Sequence, residues 1–136
     1  MKMTAWTYQN EPVTEEDTLN HYGFVYQITN NVTGRKYIGR KYFTKAGYKI
    51  IKGKRRKIRK PSDWVDYWGS NGSLKKDIGD LGAMRFSREV LRFCKNRSEC
   101  SYWETHYIIE NQALLRDDYY NEWLSVKVSK KNLVKS

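Results

Sequence analysis

Residues 23 to 43 read GFVYQITNNVTGRKYIGRKYF. Two runs rich in aromatic and β-branched residues, Tyr22 to Thr29 and Lys36 to Phe43, flank the break Asn30-Asn31-Val32-Thr33-Gly34. Such residues suit a pleated, half-buried surface, and an Asn-rich break ending in Gly has the length to close a hairpin. The stretch predicts two antiparallel strands joined by a turn. Side chains alternate along a strand, so Tyr26 shares a face with Phe24 and Ile28, and Tyr37 with Gly39. Whether the two tyrosines meet depends on the register.

Upstream, residues 1 to 20 are polar and acidic toward their end (Glu11, Glu15, Glu16, Asp17), which predicts a loosely held arm despite Trp6 and Tyr8. Downstream, Thr44 to Lys60 carries Gly47, Gly53 and Lys54-Arg55-Arg56-Lys57, and reads as a mobile surface loop. Pro61-Ser62-Asp63 looks like a helix start, with Trp64 and Trp68 one turn apart. Ser73 can cap a second helix, with Leu74, Ile78 and Leu81 on one face and Gly82 as its stop. Phe86, Val90, Leu91 and Phe93 predict a third strand within Arg85 to Cys94. Ser98 or Ser101 opens the longest helix, to about Leu115, with Cys100, Trp103, Tyr107, Ile108 and Leu114 along its apolar stripe.

The expected fold is therefore α/β of the α+β kind, a small three-stranded antiparallel sheet flanked by helices, spanning residues 21–124 between the arm and a basic tail at 125–136. A sheet that small needs helix cover. At 136 residues and 39% hydrophobic, the chain has material for one modest core, with eleven Tyr and five Trp making much of it aromatic. No stretch has the roughly 20 apolar residues of a membrane span, and the first twenty lack a secretory signal's apolar run. Cys94 and Cys100 fit no metal spacing and are too few for a disulfide framework. A reduced, cytoplasmic and unsecreted protein is expected, in a bacterial or phage-infected cell.

The charge is concentrated. Lys plus Arg is 26 and Asp plus Glu is 15, a net +11. Residues 40–60 hold eleven basic side chains and no acidic one, so the remainder is balanced at 15 against 15. A polyanion fits such a segment, because phosphate contacts by Lys and Arg release counterions. A solvated loop or a patch for acidic lipid is the other reading, but no amphipathic helix or lipid anchor accompanies the charge. Lys45, Lys54, Arg55, Arg56, Lys57, Arg59 and Lys60 are the candidate nucleic-acid contacts.

Phe24-Val25-Tyr26 and Tyr37-Ile38-Gly39, separated by ten residues, resemble the signature of the GIY-YIG nuclease superfamily, with Phe24 and Val25 in place of Gly and Ile. Trp103-Glu104-Thr105-His106-Tyr107-Ile108 is similar to the family's Glu followed by an apolar pair, and Tyr120-Asn121 to its closing Tyr-Asn. Gly39-Arg40-Lys41-Tyr42-Phe43 and the block WVDYWGSNGS from Trp64 to Ser73 resemble phage-encoded members, stand-alone homing-type endonucleases among them. The resemblance covers residues 22 to 123.

It implies that both tyrosines and Glu104 line one face of the sheet and that Glu104 holds a single Mg²⁺ or Mn²⁺. Tyr26 would be general base or water-positioning group, with its phenol pKa depressed by cation and metal; Tyr37 would orient water or phosphate, and Asn121 complete the site. The family's arginine, about eight residues past the motif glycine on a helix, falls here on Gly47, so Arg40 and Lys41 take its place as candidates. Ser101-Tyr102-Trp103-Glu104 also has capping-box spacing, which leaves a structural role open for Glu104. His21 and His106 are weaker candidates.

The expected activity is metal-dependent hydrolysis of phosphodiester bonds in DNA, double-stranded by preference. One active site per chain favours a homodimer for cutting both strands. The alternative is a non-catalytic nucleic-acid-binding module on the same fold.

Overall fold

The computed structural model describes residues 6–133; the first five residues of the expected arm and the last three of the basic tail lie outside them. The hairpin predicted over residues 23–43 forms β3 (Gly23–Asn30) and β4 (Lys36–Tyr42), antiparallel, with Tyr26 opposite Gly39 and Ile28 opposite Tyr37. Its turn is built by Asn30, whose side-chain oxygen accepts from Val32 and Thr33 N–H, and by Gly34 at φ +81°. The third expected strand is β7 (Phe86–Cys94), antiparallel to β3 on its other side, with a bulge between Val25 and Tyr26.

The sheet has five strands, not three. Thr7–Tyr8 (β1) pairs parallel with β7, and Glu11–Pro12 (β2) pairs with β1, giving the order β2-β1-β7-β3-β4. Gln9 and Asn10, both at positive φ, close the β1–β2 turn, and a short helix α1 (Glu15–Asn20) follows under a capping box made by Thr14 and Asp17. From Trp6 onward the expected loose arm is thus part of the body. The buried Trp6 ring meets Phe24 and Tyr26 edge-on, and its Nε1 donates to Trp64 O at 2.7 Å. A buried indole with its N–H satisfied is a strong anchor.

Residues 44–60 are likewise ordered. Thr44–Ile51 (β5) and Lys54–Pro61 (β6) form a separate two-stranded ribbon, turned by Lys52 and Gly53, both at positive φ. The expected helix at Trp64 is a single 3₁₀ turn, Trp64–Asp66, without a side-chain cap. The next helix, α2 (Gly72–Leu81), does stop at Gly82 (φ +91°), but its cap is Asn71, which accepts from Leu74 N–H, rather than Ser73.

The longest helix, α3 (Arg97–Glu110), begins earlier than Ser98 or Ser101 suggests, because Asn96 caps it by accepting from Glu99 N–H. Leu114 falls beyond its end and is exposed. The sheet has two apolar faces. One packs Trp6, Phe24, Tyr26, Ile28 and Phe43 against Leu74 of α2, and the other packs Val25, Ile38 and Cys94 against Cys100 and Ile108 of α3. Both cysteines are buried and free.

Candidate active site at the sheet edge

Strand β4 is the outer strand of the sheet, bridged along its first half at Lys36 by the segment around Tyr119, and the candidate site wraps around this edge. The register settles the tyrosine question: Ile28 and Tyr37 are opposite, as are Tyr26 and Gly39, so the two tyrosines stand on one face, ring centroids 6.2 Å apart. Arg40, opposite Val25, points to the other face, where α3 lies. Cys100, Glu104 and Ile108 are spaced four residues apart, so the buried Cys100 and Ile108 aim Glu104 at β4. The expectation that tyrosines and glutamate share one face of the sheet is therefore corrected: they approach the edge from opposite faces. Tyr26 sits on the inner strand and must pass over β4 to get there. Gly39 lets it, since a Cβ at that position would collide with the Tyr26 hydroxyl and Cζ and stand 3.0 Å from Tyr37.

Two hollows of about 410 Å³ each result, both bordered by Tyr37, Arg40 and Glu104. Tyr26, Lys41, Lys45, Asp63, Tyr67 and Ser70 also line the first; Asn71, Asn121, Glu122 and Trp123 line the second. Between them Arg40 Nη1 donates to Glu104 Oε1 at 2.5 Å and Arg40 Nε to the Tyr42 hydroxyl at 3.2 Å. The Glu104 side chain is only 14% exposed. Burial raises its carboxyl above the usual range although Arg40 pulls the other way, so desolvation outweighs the ion pair. Burial alone would weaken the Arg40 guanidinium's hold on its proton, but Glu104 and Tyr42 reverse this and raise it. The arginine is the charged partner throughout.

Burial pushes the Tyr26 phenol well above its ordinary pKa, with Tyr37, Tyr67 and Glu104 adding to the effect; the Tyr37 phenol is raised by burial too, against a hydrogen bond from Ser70. The depressed Tyr26 phenol expected from the family depends on a bound cation; burial by itself acts in the opposite direction. Each tyrosine is a neutral hydrogen-bonding group here.

Lys41 is held at the rim by Asp63 (2.7 Å) and by the Tyr67 ring beneath its ammonium (3.9 Å). Asn121 borders the second hollow, but its amide is engaged on the β4 backbone: Oδ1 accepts from Ile38 N–H at 3.0 Å and Nδ2 donates to Ile38 O at 2.8 Å. It fastens the outer edge between Tyr37 and Gly39, a positioning task. Gly47, where the family's arginine would fall, lies on the ribbon. Glu104 does not cap α3, whose third residue is Glu99. Neither histidine reaches the cleft. His106 pairs with Glu110, and His21 stacks on Phe93.

Arg88, which no motif marks, and Tyr120 and Asn71, which the motifs contain without giving them a task, also matter here. Arg88, 5% exposed, donates from Nη1 to Val65 O and Tyr67 O and lies over the Trp68 ring. Burial lowers its guanidinium to about 10, yet it fixes the segment that carries Tyr67. Tyr120 donates to Asp77 Oδ2 and accepts from Asn30 Nδ2, while Asn71 Nδ2 donates to Tyr120 O. That network ties the hairpin turn to α2 and to the strand-like segment holding Asn121.

Comparison with known proteins bears directly on this arrangement. The family described as "Putative endonuclease segE, GIY-YIG domain" matches residues 6–124, a span that includes Trp6, both motif tyrosines, Glu104 and Asn121. The chain belongs to the GIY-YIG endonuclease domain family. It is 30% identical over 101 residues to a protein of Enterobacteria phage T4 named "Putative endonuclease segE", covering 74% of this chain. It spans 40% of that relative's length. No solved structure matches the chain. The GIY-YIG match takes in the whole five-stranded sheet, so the N-terminal strands are part of the domain. Among the described residues no helix is long and apolar enough to cross a membrane.

Proposed function

We propose that the chain is a metal-dependent DNA endonuclease, of the phage homing type or near it, which hydrolyses phosphodiester bonds at the outer edge of β4. What supports the reading most is the convergence of Tyr26, Tyr37, Arg40 and Glu104 at one edge from β3, β4 and α3. Chain segments far apart in sequence bring together hydroxyls, a guanidinium and a carboxylate, the group types that phosphoryl chemistry uses.

Among the described residues, no cluster of three or more His, Cys, Asp or Glu could cage an ion. One carboxylate with open solvent beside it suits Mg²⁺ or Mn²⁺, which keeps most of its waters and is shared with substrate phosphate. Glu104 would hold the ion, whose charge, when bound, would offset that developing on the phosphorane. Arginine has five N–H donors, of which Glu104 and Tyr42 engage two in Arg40. The others can grip non-bridging oxygens, with Lys41 adding charge from the rim. Tyr26 and Tyr37, as neutral phenols, orient water and phosphate oxygens through their hydroxyls. The site accepts double-stranded DNA, and a homodimer would give two cuts, in the cytoplasm of a bacterial or phage-infected cell.

The test is nicking of supercoiled plasmid by wild type and Glu104→Ala, in Mg²⁺ and in EDTA. Cleavage that needs Mg²⁺ and vanishes in the variant, with DNA binding kept, is expected. Binding without cleavage of plasmid, RNA or branched DNA by either protein would leave a binding module on a nuclease fold.

A further inference from the structure

The β5–β6 ribbon sorts its charges by face. Directly opposite residues share a face, so Lys45↔Lys60, Gly47↔Ile58, Lys49↔Arg56 and Ile51↔Lys54 make one side, with five cations. On the other side, Arg59, Lys57 and Arg55 stand opposite Ala46, Tyr48 and Ile50. The second face provides for its arginines: Arg55 lies over the Tyr48 ring at 3.9 Å, and Arg59 donates to Thr44 and to the Tyr22 hydroxyl. The first face sets like charges directly opposite each other, twice, and that opposition destabilises a ribbon. Lys49, Arg56 and Lys60 meet no carboxylate, carbonyl or ring among the described residues, whereas on the second face Lys57 alone is so placed. The ladder also begins in the candidate active site, because Lys45 lines the first hollow with Arg40 and Lys41. Apart from Thr44, Gly47 and Ile58, every ribbon residue is exposed.

We infer that the face made by Lys45, Lys49, Lys54, Arg56 and Lys60 is a docking surface for B-form duplex DNA, laid along the major groove on one side of the cut. This rests on the nuclease reading for where the cut lies. Phosphates relieve the cross-strand repulsion that the ribbon alone cannot. A groove about 12 Å wide admits a two-stranded ribbon. Strands of eight residues reach ~27 Å at about 3.4 Å per residue. That length matches ~8 base pairs at about 3.4 Å each. The A-form major groove of RNA is too deep and narrow for side chains to read.

Two charge-matched variants separate the faces, Lys49→Gln/Arg56→Gln and Arg55→Gln/Lys57→Gln, with circular dichroism to check the fold. Binding to a fluorescein-labelled DNA duplex of about two turns (~20 bp) is followed by anisotropy in EDTA across a NaCl series. Each lost phosphate contact lowers the log–log salt slope by about 0.9, so the first variant should lose about 1.8 in slope and ~60-fold in affinity at 0.1 M salt. The second should lose less than a tenth as much, and a duplex RNA of equal length should bind wild type more weakly. Equal losses from both faces, or RNA bound as tightly as DNA, would overturn the inference. No cleavage of plasmid by wild type, with face-selective binding intact, would instead remove the nuclease reading alone.

Discussion

Two hairpins of nearly equal length lie side by side in this chain and do opposite things. In β3 six of eight residues are buried, and the β3–β4 pair is packed on both faces. In β5–β6 two of the eight cross-strand pairs set cation directly against cation, and the ribbon stands out in solvent. Strand pairing is common to both; the side chains facing one another decide the rest. Burial makes the first hairpin stiff enough to hold Tyr26, Tyr37 and Arg40 in place, and raises the phenol pKa values as a consequence. Like charges leave one face of the second without carboxylate or ring partners among the described residues, which is useful only if the partner comes from outside. The proposed catalytic groups sit in the first environment and the proposed phosphate contacts in the second.

The comparison breaks most readily at the brace under the first hairpin. Trp6→Ala removes a buried ring held by Phe24, Tyr26 and the Trp64 carbonyl, and should cost about 3–5 kcal/mol in urea unfolding. A cost near zero would return residues 6–12 to the status of an arm. Next in size is Tyr26→Phe, which keeps the packing and removes one hydroxyl. Cleavage should fall ~10²-fold with little change in stability. Gly39→Ala should slow cleavage comparably and also destabilise by about 1–3 kcal/mol, since the new methyl displaces the Tyr26 phenol.

The contrast sharpens if the ribbon is excised. Its base is closed by Ser62 N–H donating to Phe43 O at 2.9 Å, so a short Gly-Ser turn from Phe43 to Ser62 should leave the sheet folded. Stability should change by less than about 1 kcal/mol, as for other exposed changes away from the core, while DNA affinity collapses. The smallest effect is on alkaline stability. Tyr26, Tyr119 and Tyr120 all have phenols raised by burial. A raised folded pKa contributes stability present below the unfolded value, about 10, and lost as pH rises toward the folded one. Unfolding followed by phenolate absorbance should therefore begin only above about pH 10, and Tyr26→Phe should blunt that alkaline limb.

Sequence reading succeeds where periodicity is long and local. The 23–43 hairpin, the strand ending at Cys94 and the stop at Gly82 all follow from spacing. It fails where long-range pairing decides. Thr7–Tyr8 is too short to show alternation and becomes a strand only because β7 offers an edge. Asn96 is masked as a cap by Ser98 and Ser101. The ribbon looks like a loop because its lysines hide the alternation, although Lys52-Gly53 is a two-residue hairpin signal between Ile50-Ile51 and Ile58. For the site, the motifs point to Tyr26, Tyr37 and Glu104, whereas the Arg40–Glu104 pair and the edge-wrapped geometry depend on β4 being outermost. Asn121 is found by its motif, but its work on the Ile38 backbone is a tertiary fact.

We assign chemistry to the cleft between β4 and α3 and duplex binding to the β5–β6 ribbon. Single-turnover cleavage of a labelled duplex, over a range of enzyme concentrations, by wild type, Glu104→Gln and Lys49→Gln/Arg56→Gln tests this assignment most directly. The cleft variant should bind like wild type and cleave ~10³-fold more slowly at saturation, while the ribbon variant should need far more enzyme to saturate and then cleave within a few-fold of wild type. A ribbon variant as slow as the cleft variant at saturation, or a cleft variant of undiminished rate, would contradict the account.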